Sequence, residues 1–186
     1  MTKQELKECI EKEVMRNVPP LKMSNFKGFM KTLYIRYNTK YLSDEQSFLL
    51  IVRKMQYLWS KGTILSRLHS NYLHRKLRKE YGCCIHQNAA IGIGFHVPHP
   101  IGIVIGSKSI IGKNCTLYQG VTIGSSVDAG SHVAPQPEIG DNVMIYANSM
   151  LLGGVKISSN TVIGANSVVL TDTDGGLWVG TPAVKK

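Results

Sequence analysis

The stretch IGDNVMIYANSMLLGGVKISSNTVIGANSVV, residues 139–169, repeats itself every six positions. Ile139, Ile145, Leu151, Ile157, Ile163 and Val169 stand six apart, with small and turn-forming residues between them. A helical face recurs every 3.6 residues and a half-buried strand every two, so a sustained period of six marks a repeat architecture. The same spacing appears upstream in Ile105, Ile111, Leu117 and Ile123, and before them in Ile85, Ile91 and Val97. Glycine follows the aliphatic residue at 92, 106, 112, 124, 140 and 164. Each hexad reads as a short strand with one aliphatic side chain turned inward, then a sharp corner. Gly, Asn, Ser and Ala suit such corners, because tight or left-handed backbone costs them least. One such strand buries nothing alone; stacked coils form a continuous aliphatic column. The predicted fold is mainly β, a parallel β-helix.

The phase breaks twice. Val97 and Ile105 are eight apart, which places two extra residues near Pro98-His99-Pro100. Ile123 and Ile139 are sixteen apart, so 125–138 (SSVDAGSHVAPQPE) is expected as a loop thrown out of the coil. Both breaks contain histidine, and loops that leave a rigid scaffold are where function concentrates.

Upstream of residue 83 the period is helical. Helices are predicted over 3–17, 24–38, 44–60 and 62–80, with Ser43 or Asp44 capping the third and Gly62 separating it from the fourth. In the third, Phe48, Leu49, Val52, Met55, Gln56, Leu58 and Trp59 form an apolar stripe. The expected organisation is a helical region 1–82, a β-helix 83–170 and a C-terminal cap or tail 171–186. The net charge of +10 belongs wholly to residues 1–80, which hold 17 of the 22 Lys/Arg and 7 of the 12 Asp/Glu. Its densest run is His74-Arg75-Lys76-Leu77-Arg78-Lys79. A solvated helix face near a C-terminus accounts for that run, and cations suit the macrodipole there. A weak attraction to anionic surfaces is the other expectation, and nucleic acid is not expected as a partner. No apolar run reaches the roughly 20 residues of a membrane span, and the start MTKQELKECIEKE lacks the apolar region of a secretory signal. A cytoplasmic protein is expected. Cys9, Cys83, Cys84 and Cys115 show no C-x-x-C spacing, so reduced thiols and no metal site are expected.

From Ile85-His86 through Gly102-Ile103-Val104-Ile105-Gly106 and Tyr118-Gln119-Gly120-Val121-Thr122-Ile123-Gly124, the chain resembles the serine acetyltransferases. The resemblance runs on through Ile139–Ile145 and Ile163–Val169 to Gly180-Thr181-Pro182-Ala183, about residues 80–186. It extends to the related O-acetyltransferases of polysaccharide biosynthesis. It implies a left-handed parallel β-helix, a homotrimer with inter-subunit active sites, and acetyl-coenzyme A as co-substrate without metal. It also implies that His99 is the catalytic base, since a hydroxyl attacks a thioester poorly until an imidazole removes its proton. Gly124, Ser125, Tyr146, Ala147, Gly164 and Ala165 match the family's coenzyme groove. Lys185 or Lys186 could meet the coenzyme phosphates by charge pairing. Gln119, His132 and Gln136 are the candidate acceptor-binding residues.

The departures bear on the acceptor. The aspartate that orients the family's base is Cys84 here, and the aspartate before the base is Pro98. The Arg-His-Pro-Lys ending of the family loop is Pro135-Gln136-Pro137-Glu138. A site without those charges would reject a zwitterion. The expected acceptor is therefore a sugar or polysaccharide hydroxyl, with L-serine as the alternative and a non-catalytic trimeric scaffold as the alternative of another class. Cys84 is not expected to act as a nucleophile, because the sequence around it shows no evident thiolate-stabilising cation.

Overall fold

The computed structural model describes residues 1–15, 42–126 and 134–186; the helix expected over 24–38 lies outside them. Parallel strands of two to four residues stack into three flat faces. The first face holds Cys84–Ile85, Val104–Ile105, Thr122–Gly124, Met150–Leu152 and Val168–Val169. The second holds Ala90–Ile91, Ile110–Ile111, Glu138–Ile139 and Lys156–Ile157. The third holds Thr116–Leu117, Met144–Ile145, Thr161–Ile163 and Gly176–Val179, and closes with an antiparallel strand at Val184–Lys185. The chain visits the faces in turn, as a left-handed parallel β-helix.

The register explains the six-residue period. Ile85, Ile105, Ile123, Leu151 and Val169 stack on the first face; Ile91, Ile111, Ile139 and Ile157 on the second; Leu117, Ile145 and Ile163 on the third. Nearly all of them are buried. A second inward position lies two residues before each, filled by Cys83, Ile103, Val121, Ser149 and Ser167 on the first face. The buried hydroxyls are satisfied locally: Ser149 Oγ donates to the Gly164 carbonyl at 2.8 Å.

Asparagine and glycine divide the corner work. Asn114, Asn142 and Asn160 take positive φ at the second-to-third corner, and Asn148 and Asn166 at the third-to-first. Asparagine tolerates that conformation, and here its amide also bonds along the axis: Asn114 Nδ2 to Asn142 Oδ1, then Asn142 Nδ2 to Asn160 Oδ1, each 3.2 Å. The glycines that follow the aliphatic residues answer a different demand. A Cβ at Gly92 would lie 2.6 Å from the Gly112 carbonyl carbon, so close approach of successive coils excludes a side chain there.

Helix α1 (Lys3–Cys9) runs into a π-helical turn, Ile10–Val14; α2 spans Asp44–Ser60 and α3 Ile64–Tyr81. Ser43 caps α2 in a capping box with Gln46, and Gly82 ends α3 at φ 62°. Phe48, Leu49, Val52 and Met55 of α2 join one hydrophobic core with Cys83, Ile85, Phe95 and Val97 of the first coil. At the centre of this junction Arg53 and Glu13 are both fully buried and paired two-fold, Nη2 to Oε1 at 2.6 Å and Nε to Oε2 at 2.8 Å. Arg53 also donates to the carbonyls of Ile91 (2.7 Å) and Gly92 (2.6 Å) and to Gln56 Oε1 (3.3 Å), so all five N–H groups are used. Glu13 Oε1 accepts from the amides of Gly94 and Phe95.

The excursion after Thr122–Gly124 is narrower than 125–138. The Pro137 carbonyl already accepts from Ile110 N at 3.1 Å, and Gln136 Oε1 accepts from Lys108 N at 2.9 Å and Ser109 Oγ at 3.2 Å. The returning segment is thus pinned to the coil below it before the next strand begins.

Arg53→Met should destabilise the protein by about 3–5 kcal/mol, because it leaves Glu13 buried and unpaired. Chemical denaturation followed by circular dichroism measures this, and a loss below about 1 kcal/mol would show that the pair is dispensable.

Candidate active site

The two extra residues after Val97 form a bulge where the third face turns into the first. Pro98 and Pro100 flank His99 there, Ile101 N donates to the His99 carbonyl at 2.8 Å, and Pro100 is buried while the imidazole is exposed. Proline on both sides narrows the backbone that carries the ring. Among the described residues no side chain hydrogen-bonds the imidazole; its neighbour is Tyr118, with ring centroids 6.3 Å apart. Tyr118 in turn stacks on Tyr146 at 5.0 Å and 14°. The two tyrosines occupy equivalent places one coil apart, so the helix rise itself sets their stacking distance. His99, Tyr118 and Tyr146 make an aromatic column along one corner. The position of Tyr118 within the period signals it, since it directly follows the inward Leu117 just as Tyr146 follows Ile145.

Other predicted residues line the same corner. Gln119 follows Tyr118, and its Oε1 is buried without a hydrogen-bond partner among the described residues. A buried carbonyl oxygen lacking a donor is costly, which marks it as a place for an incoming N–H or O–H. Ala147, Gly164 and Ala165 continue the corner above. Gly164 lies in a crowded place, where a Cβ would stand 2.6 Å from Val179 Cγ1.

The remaining predicted residues fall elsewhere. Gly124 and Ser125 end the first-face strand at the next corner, where the Gly153 amide donates to the Gly124 carbonyl at 2.9 Å. Within one chain the six groove residues therefore occupy two corners separated by the first face. Gln136 lies at that second corner with its side-chain oxygen engaged in the coil contacts described above. His132 lies outside the described residues. Lys185 Nζ is paired with Asp174 at 2.9 Å, and this bond holds the Asp174 carboxyl below the usual carboxylate range.

The other histidines have structural partners. His96 Nε2 meets Glu45 Oε1 of α2 at 3.1 Å, and the same oxygen accepts from Val97 N. His86 Nδ1 accepts from Asn88 N at 3.1 Å, which caps a turn. The first coil also holds a pair that sequence reasoning missed: exposed Cys84 Sγ lies 3.8 Å from His74 Nε2 on α3. An imidazole does stand beside Cys84, ten residues away in sequence and brought there by the packing of α3. Cys9, Cys83 and Cys115 are buried, and burial pushes each thiol up. Among the described residues no three His, Cys, Asp or Glu side chains gather as a metal site requires, and no helix is long and apolar enough to cross a membrane. A cleft of about 700 Å³ lies between α1, the end of α2 and the second face, away from His99.

Two families of repeat match the sequence: the bacterial transferase hexapeptide (six repeats) over residues 136–171, and the hexapeptide repeat of succinyl-transferase over 101–133. The serine acetyltransferase of Staphylococcus epidermidis is 50% identical over 90 residues, 48% of this chain and 41% of that protein. The chain thus matches less than half the length of that relative. The crystal structure of the serine acetyltransferase of Neisseria gonorrhoeae superposes with a TM-score of 0.75 at 28% identity, covering 98% of this chain and 66% of the other. A serine acetyltransferase in complex with CoA gives 0.72 at 25% identity, over 98% of this chain and 70% of the other.

Burial lowers the proton affinity of both His74 and His86, and for His74 the nearby Arg78 and His86 lower it further. Protonation therefore favours the unfolded chain. The stability these two groups contribute is present above the ordinary value of 6.5 and is lost as pH falls below it towards their lowered folded values. Thermal melts from pH 7.5 down to 5.5 should show a smaller fall for the His74→Gln/His86→Gln protein than for wild type; equal falls would exclude this source.

Proposed function

We propose that this chain, whose residues 101–133 and 136–171 match hexapeptide repeats of transferases, moves an acetyl group from acetyl-coenzyme A to a hydroxyl. The observation that carries the reading is His99, exposed on a proline-flanked bulge at the end of the Tyr118–Tyr146 column. The His99 imidazole takes the acceptor's proton as the hydroxyl oxygen attacks the thioester carbonyl. The tetrahedral oxyanion collapses, the C–S bond breaks, and the coenzyme leaves as a thiolate that takes up a proton. Nothing in this sequence needs a covalent acyl-enzyme.

The division of the groove residues between two corners supports sites shared between copies. A second copy bringing its Gly124–Ser125 corner against the Tyr146–Ala147 and Gly164–Ala165 corner of this one would complete a groove for the pantetheine arm. Three copies around an axis close that arrangement into a homotrimer with three sites. Lys185, already near a carboxylate, would exchange Asp174 for a coenzyme phosphate. Sedimentation should find the trimer; a well-folded monomer at micromolar concentration would remove the shared-site reading.

The names of the relatives make L-serine the leading acceptor. That reading requires charges which Cys84, Pro98 and Gln136 do not supply, so they would come from 127–133, where Asp128 and His132 lie, or from a neighbouring copy. A sugar hydroxyl is the second reading, favoured by those same substitutions: a neutral acceptor needs neither the amine-holding nor the carboxylate-holding group.

Free-thiol release from acetyl-coenzyme A tests both levels. His99→Ala should lower kcat by about 10²–10⁴-fold with coenzyme binding nearly intact; wild-type turnover in that protein would remove the proposed base. With acetyl-coenzyme A saturating, kcat/KM for L-serine should exceed that for hexoses and oligosaccharides. A glycan advantage of about 10²-fold, roughly 2.7 kcal/mol, would install the second reading.

A further inference from the structure

We infer that the outer face of α3 docks on an anionic lipid surface, independently of the acetyl-transfer site. Helix α3 buries Ser66, Ser70, Leu73 and Leu77 against the rest of the protein. Its opposite side carries Ile64, Leu65, Leu68 and Tyr72, which keep 79, 80, 59 and 59% of their surface exposed. That apolar patch covers the first half of the helix. On the same side, Arg75 and Lys79 continue the line at helical spacing, with Lys76 beside them. Where α2 meets α3, Lys61 Nζ lies over the Tyr57 ring at 4.7 Å and Arg67 over the Trp59 ring at 5.3 Å. Exposed aliphatics, the Tyr72 phenol ring and cations thus share the outer face of α3, as in helices that lie in a bilayer interface.

Charge decides between the partners that could cover it. From Gln46 through Lys79 the sequence contains no Asp or Glu, while it holds Arg53, Lys54, Lys61, Arg67, Arg75, Lys76, Arg78 and Lys79. Of these, Arg53 is the buried residue that pairs with Glu13; the others, Lys76 aside, form no ion pair among the described residues and make a cationic surface. Lys76 reaches Glu80 at 3.8 Å at the far end. In an antiparallel pairing of two α3 helices centred on Leu68, the apolar halves would meet, but Lys61 of each copy would face Arg75 of the other with no carboxylate between them. Like charges so placed oppose the pairing. Nucleic acid would match the cations yet leave Ile64, Leu65 and Leu68 exposed, because aliphatic side chains gain nothing from a phosphate backbone. An anionic membrane answers both halves: headgroups meet the cations while the aliphatic side chains enter the boundary with the acyl chains. No helix of the described residues is apolar enough to span, so the association is peripheral.

The test uses the full chain with vesicles of phosphatidylcholine alone and of phosphatidylcholine with phosphatidylglycerol, separated by flotation. Binding is expected only to the anionic vesicles. Neutralising Lys76 and Lys79 together as Lys76→Gln/Lys79→Gln should weaken it by about fivefold per charge. The exposed Leu65→Gln/Leu68→Gln change should weaken it by about tenfold or more while leaving thermal stability and thiol release unchanged. No binding to anionic vesicles overturns the inference, and so does equal binding to both vesicle types. Unchanged binding of the Leu65→Gln/Leu68→Gln protein overturns it as well, since that would be adsorption by charge alone. A smaller sedimenting species for that protein without lipid would assign the face to a second copy instead.

Discussion

A guanidinium and a carboxylate with no access to solvent hold the two halves of this protein together. Arg53 and Glu13 would each be costly to bury alone, and neither belongs to the β-helix. Arg53 nevertheless binds the Ile91 and Gly92 carbonyls, and Glu13 the Gly94 and Phe95 amides. These four backbone groups lie where the first coil turns from its second face into its third. They lack the neighbouring coil that satisfies such groups further along. The pair thus supplies to the end of the solenoid what another turn would have supplied, and the helices act as its cap. His99 stands only four residues beyond Phe95, so the order of the bulge depends on this junction.

Beyond the cap, regularity becomes chemistry. The coil rise that stacks Ile123 over Ile105 also stacks Tyr146 over Tyr118, and the extra residues beside Pro98 and Pro100 push His99 out at the end of that column. The corner that carries the column is a rigid support, because backbone bonds tie its coils together: Gly120 N to the Ile101 carbonyl, Asn148 N to the Gln119 carbonyl and Asn166 N to the Ala147 carbonyl, each 2.9 Å. The proposed site draws on that rigidity at one corner and on the insertion at the next, and the shared-groove proposal joins the two through neighbouring copies.

Relatives named for serine and residues ill suited to hold a zwitterion pull the acceptor assignment in opposite directions. Cys84 faces His74 of α3 instead of acting as a carboxylate partner, and the Gln136 oxygen is consumed by the coil beneath it. Both side chains have local partners. The Gln119 oxygen, buried without a donor beside Tyr118, is the polar group of this corner that packing leaves unanswered.

By itself the sequence determined the coil, its two interruptions and the exposed histidine, because a six-residue period reports a local backbone geometry repeated in register. It also located the helices over 44–60 and 62–80 to within a few residues and offered Ser43 or Asp44 as the cap, of which the structure uses Ser43. It could not disclose Arg53 and Glu13, forty residues apart, since no local pattern distinguishes a buried Arg from a solvated one. The His74–Cys84 contact and the return of Pro137 to the ladder were likewise decided by tertiary structure, each arising where separate elements pack. The family resemblance makes the six groove residues one set, and they share a place in the period. The three-sided cross-section separated them, since residues with the same position in a hexad can stand on different corners of the triangle.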